Sequence, residues 1–171
     1  ARSILEGVLD PRTRFIELDF PMVREKDALV EHWDRAASEL ATRLQGGEDV
    51  AFATLGDPLL YSTYNYLLAT LQARFPEIPV ETVPGITSIS AATALANLPL
   101  AERDETLAII PVPGDPKKLE KVLGQFDSVV LMKIGARLGM VLEVLGRMGL
   151  KEKAVLVSRA GLPGETLVSD L

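Results

Sequence analysis

Two short segments of this chain carry the residue types that small-molecule chemistry needs. Thr54-Leu55-Gly56-Asp57-Pro58 closes one apolar run, and Val83-Pro84-Gly85-Ile86-Thr87-Ser88-Ile89-Ser90-Ala91-Ala92 closes the next. In the first, Gly56 permits positive φ or close approach of a ligand to the backbone, Asp57 offers a carboxylate, and Pro58 suits a helix start. In the second, Thr87, Ser88 or Ser90 can cap a helix whose free N–H groups hold an acceptor or anion. The same strings also serve as an ordinary surface turn and an ordinary cap. Neither has the Walker A pattern, and no Gly-x-Gly-x-x-Gly follows a strand, so the phosphate-cradling and dinucleotide readings lose their main support. What remains is a ligand held mainly by backbone groups.

The elements that must position these turns follow from periodicity. Arg14 to Phe20 alternates apolar and polar residues, which predicts a strand with one buried face, stopped by Pro21. From Asp27 to about Leu44, Val30, Trp33, Ala37, Leu40 and Leu44 draw one helical stripe, and Gly46-Gly47 ends it. Val50 to Thr54 is apolar on both faces, as a central parallel strand should be. A helix bearing Tyr64, Leu67, Leu68, Leu71 and Phe75 follows, then a strand from Ile78 to Val83. Strand, helix and strand make a βαβ unit, which would set the two turns side by side at the carboxyl ends of neighbouring parallel strands. Thr87 to Asn97 predicts a short helix rich in Ala and Ser. The second half repeats the alternation, with strands at Leu107–Pro111, Ser128–Met132 and Ala154–Ser158 and helices at Pro116–Leu123 and Leu138–Met148. The polar stretch ending at Glu105 suggests a boundary between two α/β domains, residues 1–105 and 106–171.

The charge balance narrows the partners. A formal net charge of −6 argues against general attraction to nucleic acid, and an acidic substrate would need a local basic patch. Arg14, Arg103, Lys133 and Arg159 lie near predicted strand ends or the domain junction and are candidates for it, although solvated charge is the common role of such residues. The absence of cysteine leaves no disulfide, thiolate nucleophile or thiolate metal site and is compatible with a reducing cytoplasm. His32 has no second His or carboxylate cluster beside it in sequence, so it reads as a surface residue and no protein-bound metal is expected. Glu102, Asp104 and Glu105 read as a charged linker. No apolar run is long enough to span a bilayer. Ala1 to Leu5 reads as helix interior and Glu165 to Val168 as the start of a strand, so the chain is expected to be a piece of a longer protein.

The order and content of these motifs resemble the tetrapyrrole (corrin and porphyrin) methyltransferases. Gly56-Asp57-Pro58 and Val83-Pro84-Gly85-Ile86-Thr87-Ser88 match that family's second and third signatures, and Met132 stands where a later strand of the family carries Met. Phe20-Pro21-Met22, Trp33 with Ala36-Ala37, Thr54 through Tyr64, and Leu98-Pro99-Leu100-Ala101-Glu102 resemble the branch that methylates C20 of precorrin-2 or cobalt-precorrin-2 in cobalamin biosynthesis. The resemblance implies two small α/β domains with a ligand cleft between them. Nothing here matches the family's opening Gly-x-Gly-Pro-Gly-Asp loop, so the first strand and the last strands are expected to be missing.

It also implies S-adenosylmethionine as methyl donor, against Leu55, Gly56, Asp57 and Leu60, then Thr87 and Ser88, then Met132, and the backbone near Ala160. Met132 is equally a residue type that fills core gaps. Tyr61, leaving the first turn, is the candidate for a substrate-facing or catalytic side chain, with a helix-face core role as its alternative. The implied partners are an acidic tetrapyrrole substrate and a second copy of the chain, without nucleic acid or membrane. Another tetrapyrrole methylase, a diphthine synthase-like enzyme, and a non-catalytic α/β ligand-binding module are the competing readings.

Overall fold

The computed structural model describes residues 2–18, 20 and 26–171. Pro21 and Met22, which the sequence reads as a strand stop and part of a motif, lie outside the described residues, as do Ala1 and Asp19. The chain forms two compact units, Ala1–Thr87 and Ser88–Leu171. The polar stretch before Glu105, expected as a boundary, lies inside the second unit. Compactness follows packing, whereas polarity reports only exposure.

In the first unit a short helix α1 (Arg2–Leu5) precedes α2 (Lys26–Gln45) and α3 (Tyr64–Arg74). The apolar stripe of α2 buries Ala36, Ala37 and Leu40 against Leu67 and Leu71 of α3, with Leu18, Phe20, Val50, Phe52 and Phe75 packed around them. Small residues on α2 let the two helices approach closely. The stripe is wider than the expected one: Ala37 and Leu40 are buried as read and Ala36 and Ala41 join them on either side, Val30 near the helix start is exposed, and Trp33 stacks on Tyr66 at 4.4 Å.

The strands expected at Arg14–Phe20, Val50–Thr54 and Ile78–Val83 carry no backbone ladder among the described residues. Side chains hold these segments instead. The Phe20 ring meets Phe52 edge-on at 6.1 Å, Phe52 stacks near Tyr64 at 5.8 Å, and the Tyr64 hydroxyl lies 2.7 Å from Thr82 Oγ1. Alternation and apolar runs report which faces are buried; a ladder also requires a neighbour within hydrogen-bonding distance, which the pattern does not encode.

In the second unit the sequence reading matches closely. Helix α4 (Ser88–Ala96) is followed by β1 (Leu107–Pro111), α5 (Pro116–Leu123), β2 (Ser128–Met132), α6 (Leu138–Met148), β3 (Leu156–Ser158) and β4 (Thr166–Val168). β1 and β2 pair in parallel, from Leu107 opposite Ser128 to Pro111 opposite Met132, with α5 as the crossover. α5 starts where Asp115 caps the Lys117 amide and Pro116 supplies a preset φ. Leu119 of α5 is fully buried against Val112, Val141, Val144 and Leu145. α6 ends at Gly149 in the left-handed conformation, φ 66°. β3 and β4 form an antiparallel pair with Val157 opposite Leu167.

The entry ends of β1 and β2 are clamped by one carboxylate. Asp127 Oδ2 accepts the Thr106 amide at 2.8 Å and the Thr106 hydroxyl at 2.7 Å, and the Ser128 amide donates to the Thr106 carbonyl at 3.0 Å. These bonds, the Thr106 amide first, hold the Asp127 carboxyl below its ordinary value.

Candidate functional site

The two turns that open the sequence argument come together inside the first unit. Gly56 takes φ 74°, a conformation open to glycine. Asp57 Oδ1 accepts the Leu59 amide at 2.9 Å, closing a local turn, and Asp57 Oδ2 accepts the Gly85 amide at 3.1 Å. Gly85 lies against the Gly56 backbone. A Cβ built at Gly85 would fall on the Gly56 carbonyl oxygen, 3.0 Å from its carbonyl carbon and 3.4 Å from Asp57 Cα. Glycine is required there by space, not by φ.

Apolar side chains stand exposed around this junction. Leu55, Leu59, Val83 and Ile86 are 63%, 54%, 72% and 78% exposed, an apolar surface beside the two turns. Leu60 is half-buried, with its amide 3.4 Å from the Asp57 carbonyl. Thr87, half-buried, immediately precedes α4, and Ser88 opens that helix.

Pro58 does not start α3, in contrast to the sequence expectation. The helix begins at Tyr64, where Ser62 Oγ accepts the Tyr64 amide at 3.2 Å and lies 3.2 Å from Thr54 Oγ1. Tyr61 therefore sits on the loop, φ 53° and 42% exposed, and its alternative as a helix-face core residue falls away.

The second unit presents its own strand ends. Met132, half-buried, closes β2 and its carbonyl accepts the Val112 amide at 2.9 Å beyond β1. Lys133 follows at φ 55° and Gly135 at φ 46°. Arg137, a residue the sequence reading passed over, donates from Nη1 to the Val112 carbonyl at 2.8 Å and ties the loops after β1 and β2 together. Its only sequence signal is an Arg five residues past a strand end. Ala160, half-buried, lies in the turn between β3 and β4, after Arg159 and before Gly161. That turn is closed by the Gly161 amide donating to Glu165 Oε2 at 2.6 Å.

Five non-glycine residues among those described have positive φ: Tyr61, Asn97, Arg103, Lys133 and Arg159. Four of the five are residues singled out from sequence as able to face a substrate. Such conformations cost of order 1–3 kcal/mol and persist where surrounding structure enforces them, often at ligand sites. Arg14, the fifth sequence candidate, is exposed on the extended segment after α1.

His32, read as a surface residue, is half-buried. Its ring lies 3.2 Å from an Arg35 Nη2, beside a cavity of about 180 Å³ also lined by Glu17, Leu18 and Ala36. Among the described residues, no three His, Asp or Glu side chains gather as a metal site, and no helix is long and apolar enough to cross a membrane.

Glycine-locked turns flanked by exposed apolar side chains in the first unit, and a parallel α/β crossover in the second, are features common to α/β proteins that take small molecules. The model of one family, the Tetrapyrrole (Corrin/Porphyrin) Methylases, matches residues 1–171, and the chain belongs to that family. It is 38% identical over 168 residues to the cobalt-precorrin-2 C(20)-methyltransferase of Salmonella typhimurium, covering 96% of this chain and 68% of that protein. It is 31% identical over 176 residues to the precorrin-2 C(20)-methyltransferase of a Sinorhizobium species, covering 98% of this chain and 71% of that one. The fold is similar to that of uroporphyrin-III C-methyltransferase from Thermus thermophilus, crystallised with S-adenosyl homocysteine. The TM-score is 0.56 at 24% identity, over 79% of this chain and 62% of the other. The chain thus spans roughly two thirds of the length of these relatives.

Proposed function

We propose that the chain is the larger part of an S-adenosylmethionine-dependent C-methyltransferase acting at C20 of precorrin-2 or cobalt-precorrin-2 in cobalamin biosynthesis. The observation that carries this reading is the junction of the two turns, where Gly85 seats on Gly56 and exposed Leu55, Val83 and Ile86 frame it. The chemistry of that surface suits the methyl donor, which combines an apolar adenine with hydrogen-bonding ribose and amino-acid groups. Leu55, Gly56, Asp57, Leu60, Thr87, Ser88, Met132 and the backbone near Ala160 would hold it. When bound, the donor supplies an electrophilic methyl on a sulfonium.

The chain's task in such a displacement is alignment, because the nucleophile is the electron-rich meso carbon of the substrate itself. Tyr61, held at positive φ on the loop beside the first turn, would face the substrate, and its phenol would relay the C20 proton. Arg14, Arg103, Lys133 and Arg159 would meet substrate carboxylates, which the net charge of −6 otherwise repels. A homodimer is part of the same proposal, and sedimentation of the full-length protein tests it.

Isothermal titration of the full-length protein with S-adenosylhomocysteine, followed by transfer of labelled methyl to precorrin-2 and to cobalt-precorrin-2, tests the function. Binding with label at C20 of either acceptor is the expected result. No binding, or label on another acceptor only, overturns the proposal.

A further inference from the structure

The tripeptide Gly-Asp-Pro occurs twice in this chain, at Gly56-Asp57-Pro58 and Gly114-Asp115-Pro116. In both, Asp Oδ1 accepts the amide of the residue two positions on at 2.9 Å, Leu59 in one and Lys117 in the other. That bond is all a local turn or cap asks of the side chain. Among the described residues, the Asp115 carboxylate makes only this local bond. Asp57 does more, because its second oxygen accepts the Gly85 amide 28 residues away at 3.1 Å. At the same contact, Gly85 has no room for a Cβ over the Gly56 carbonyl. A hydrogen bond and a steric fit, made by different atoms, thus fix the same spacing between the two turns.

We propose that the Asp57 side chain is a positioning group: its carboxylate brackets the second turn to the first, so that a ligand held here meets the backbone of Asp57 and its neighbours and the apolar side chains, and not a free carboxylate. The proposal rests on the reading that this pair of turns holds S-adenosylmethionine. Removing the bracket would let Val83–Thr87 lift from Gly56 and blur the apolar wall formed by Leu55, Val83 and Ile86. Asn at position 57 keeps one oxygen, enough for the Leu59 amide, and turns an NH₂ donor toward the Gly85 donor. It therefore preserves the local turn and loses the bracket.

The test uses full-length protein carrying D57A, D57N, G85A, D57A/G85A and, as a control for loss of a local cap, D115A. Gly85 amide exchange, followed by NMR without ligand, reports the bracket directly and is expected to accelerate in D57A and D57N. S-adenosylhomocysteine is expected to bind roughly tenfold more weakly to D57A, D57N and G85A, with the double variant no weaker than the worse single one. D115A is expected to bind like the wild type. In turnover, D57N should raise KM for S-adenosylmethionine more than it lowers kcat. Unchanged Gly85 exchange, wild-type affinity in D57N, additive losses in the double variant, or a fall in kcat with KM unmoved would each overturn the bracket. Failure of the wild type to bind overturns the cofactor reading instead, and the exchange measurement still decides the bracket.

Discussion

At the scale of single residues, the junction of the two turns depends on what a side chain excludes as much as on what it contacts. Gly85 has an ordinary φ, so Ala at that position strains no dihedral angle; its methyl group would instead collide with the Gly56 carbonyl. Backbone has little room to yield, and overpacking of this kind costs about 1–3 kcal/mol. The expected result for G85A is a loss of that size in urea unfolding, whereas an unchanged midpoint would show that the turns separate freely. Sequence made the glycine visible as part of a Pro-Gly turn, but its reason, a carbonyl from 29 positions earlier, lies in a contact no local pattern records. Tyr61 makes the converse point. Its place after Gly-Asp-Pro was legible, while the delay of α3 to Tyr64 depends on Ser62 accepting the Tyr64 amide, a choice among several competent polar residues.

At the scale of elements, the second unit was the more readable because its strands pair with near neighbours. β1, α5 and β2 form a crossover with short connections, and each boundary has a local cause: Asp115 and Pro116 start α5, and Gly149 ends α6. The Asp127 clamp on Thr106 gives this unit an acid dependence of known sign. Its carboxyl titrates below the ordinary 3.8 in the folded state because the Thr106 amide and hydroxyl hold the charged form. A depressed folded value means that the stabilisation is complete above 3.8 and is lost as pH falls through the folded value. Wild-type protein should therefore exceed D127N in stability at neutral pH, with the gap narrowing below pH 3.8. Urea midpoints measured at several pH values check this, and a constant gap would sink it. In the first unit, the expected strands were right about burial only for Leu18, Phe20, Val50 and Phe52, which pack on the core; Ile16, Ala51, Ala53, Val80 and Val83 are exposed, and no strand pairing joins these segments among the described residues. Phe20, Phe52 and Thr82 are held through side chains, a mode of contact that hydrophobic alternation does not distinguish from a ladder.

At the scale of the whole molecule, the family is what joins the acidic, cysteine-free chain to a cobalamin methylase, and ligand linkage offers a test of the intact protein. A ligand that binds only the folded state stabilises it by RT ln(1 + [L]/Kd), about 2.7 kcal/mol at a hundredfold excess over Kd. S-adenosylhomocysteine should raise the melting temperature of the full-length protein in step with its concentration, while adenosine alone at equal concentration should raise it less. Equal shifts would place the recognition outside the amino-acid end of the ligand. The sequence by itself determined the α/β class, the helix and strand order of the second unit, the turn residues and, through their spacing, the family resemblance. These follow from periodicity, capping and glycine or proline placement, all written within a few residues of where they act. Only the tertiary structure decided that Gly85 sits on Gly56, that Asp57 spends its second oxygen on that contact, and that Arg137 ties two strand ends together. Each of these joins residues 25 or more positions apart, at distances set by the packing of everything between them.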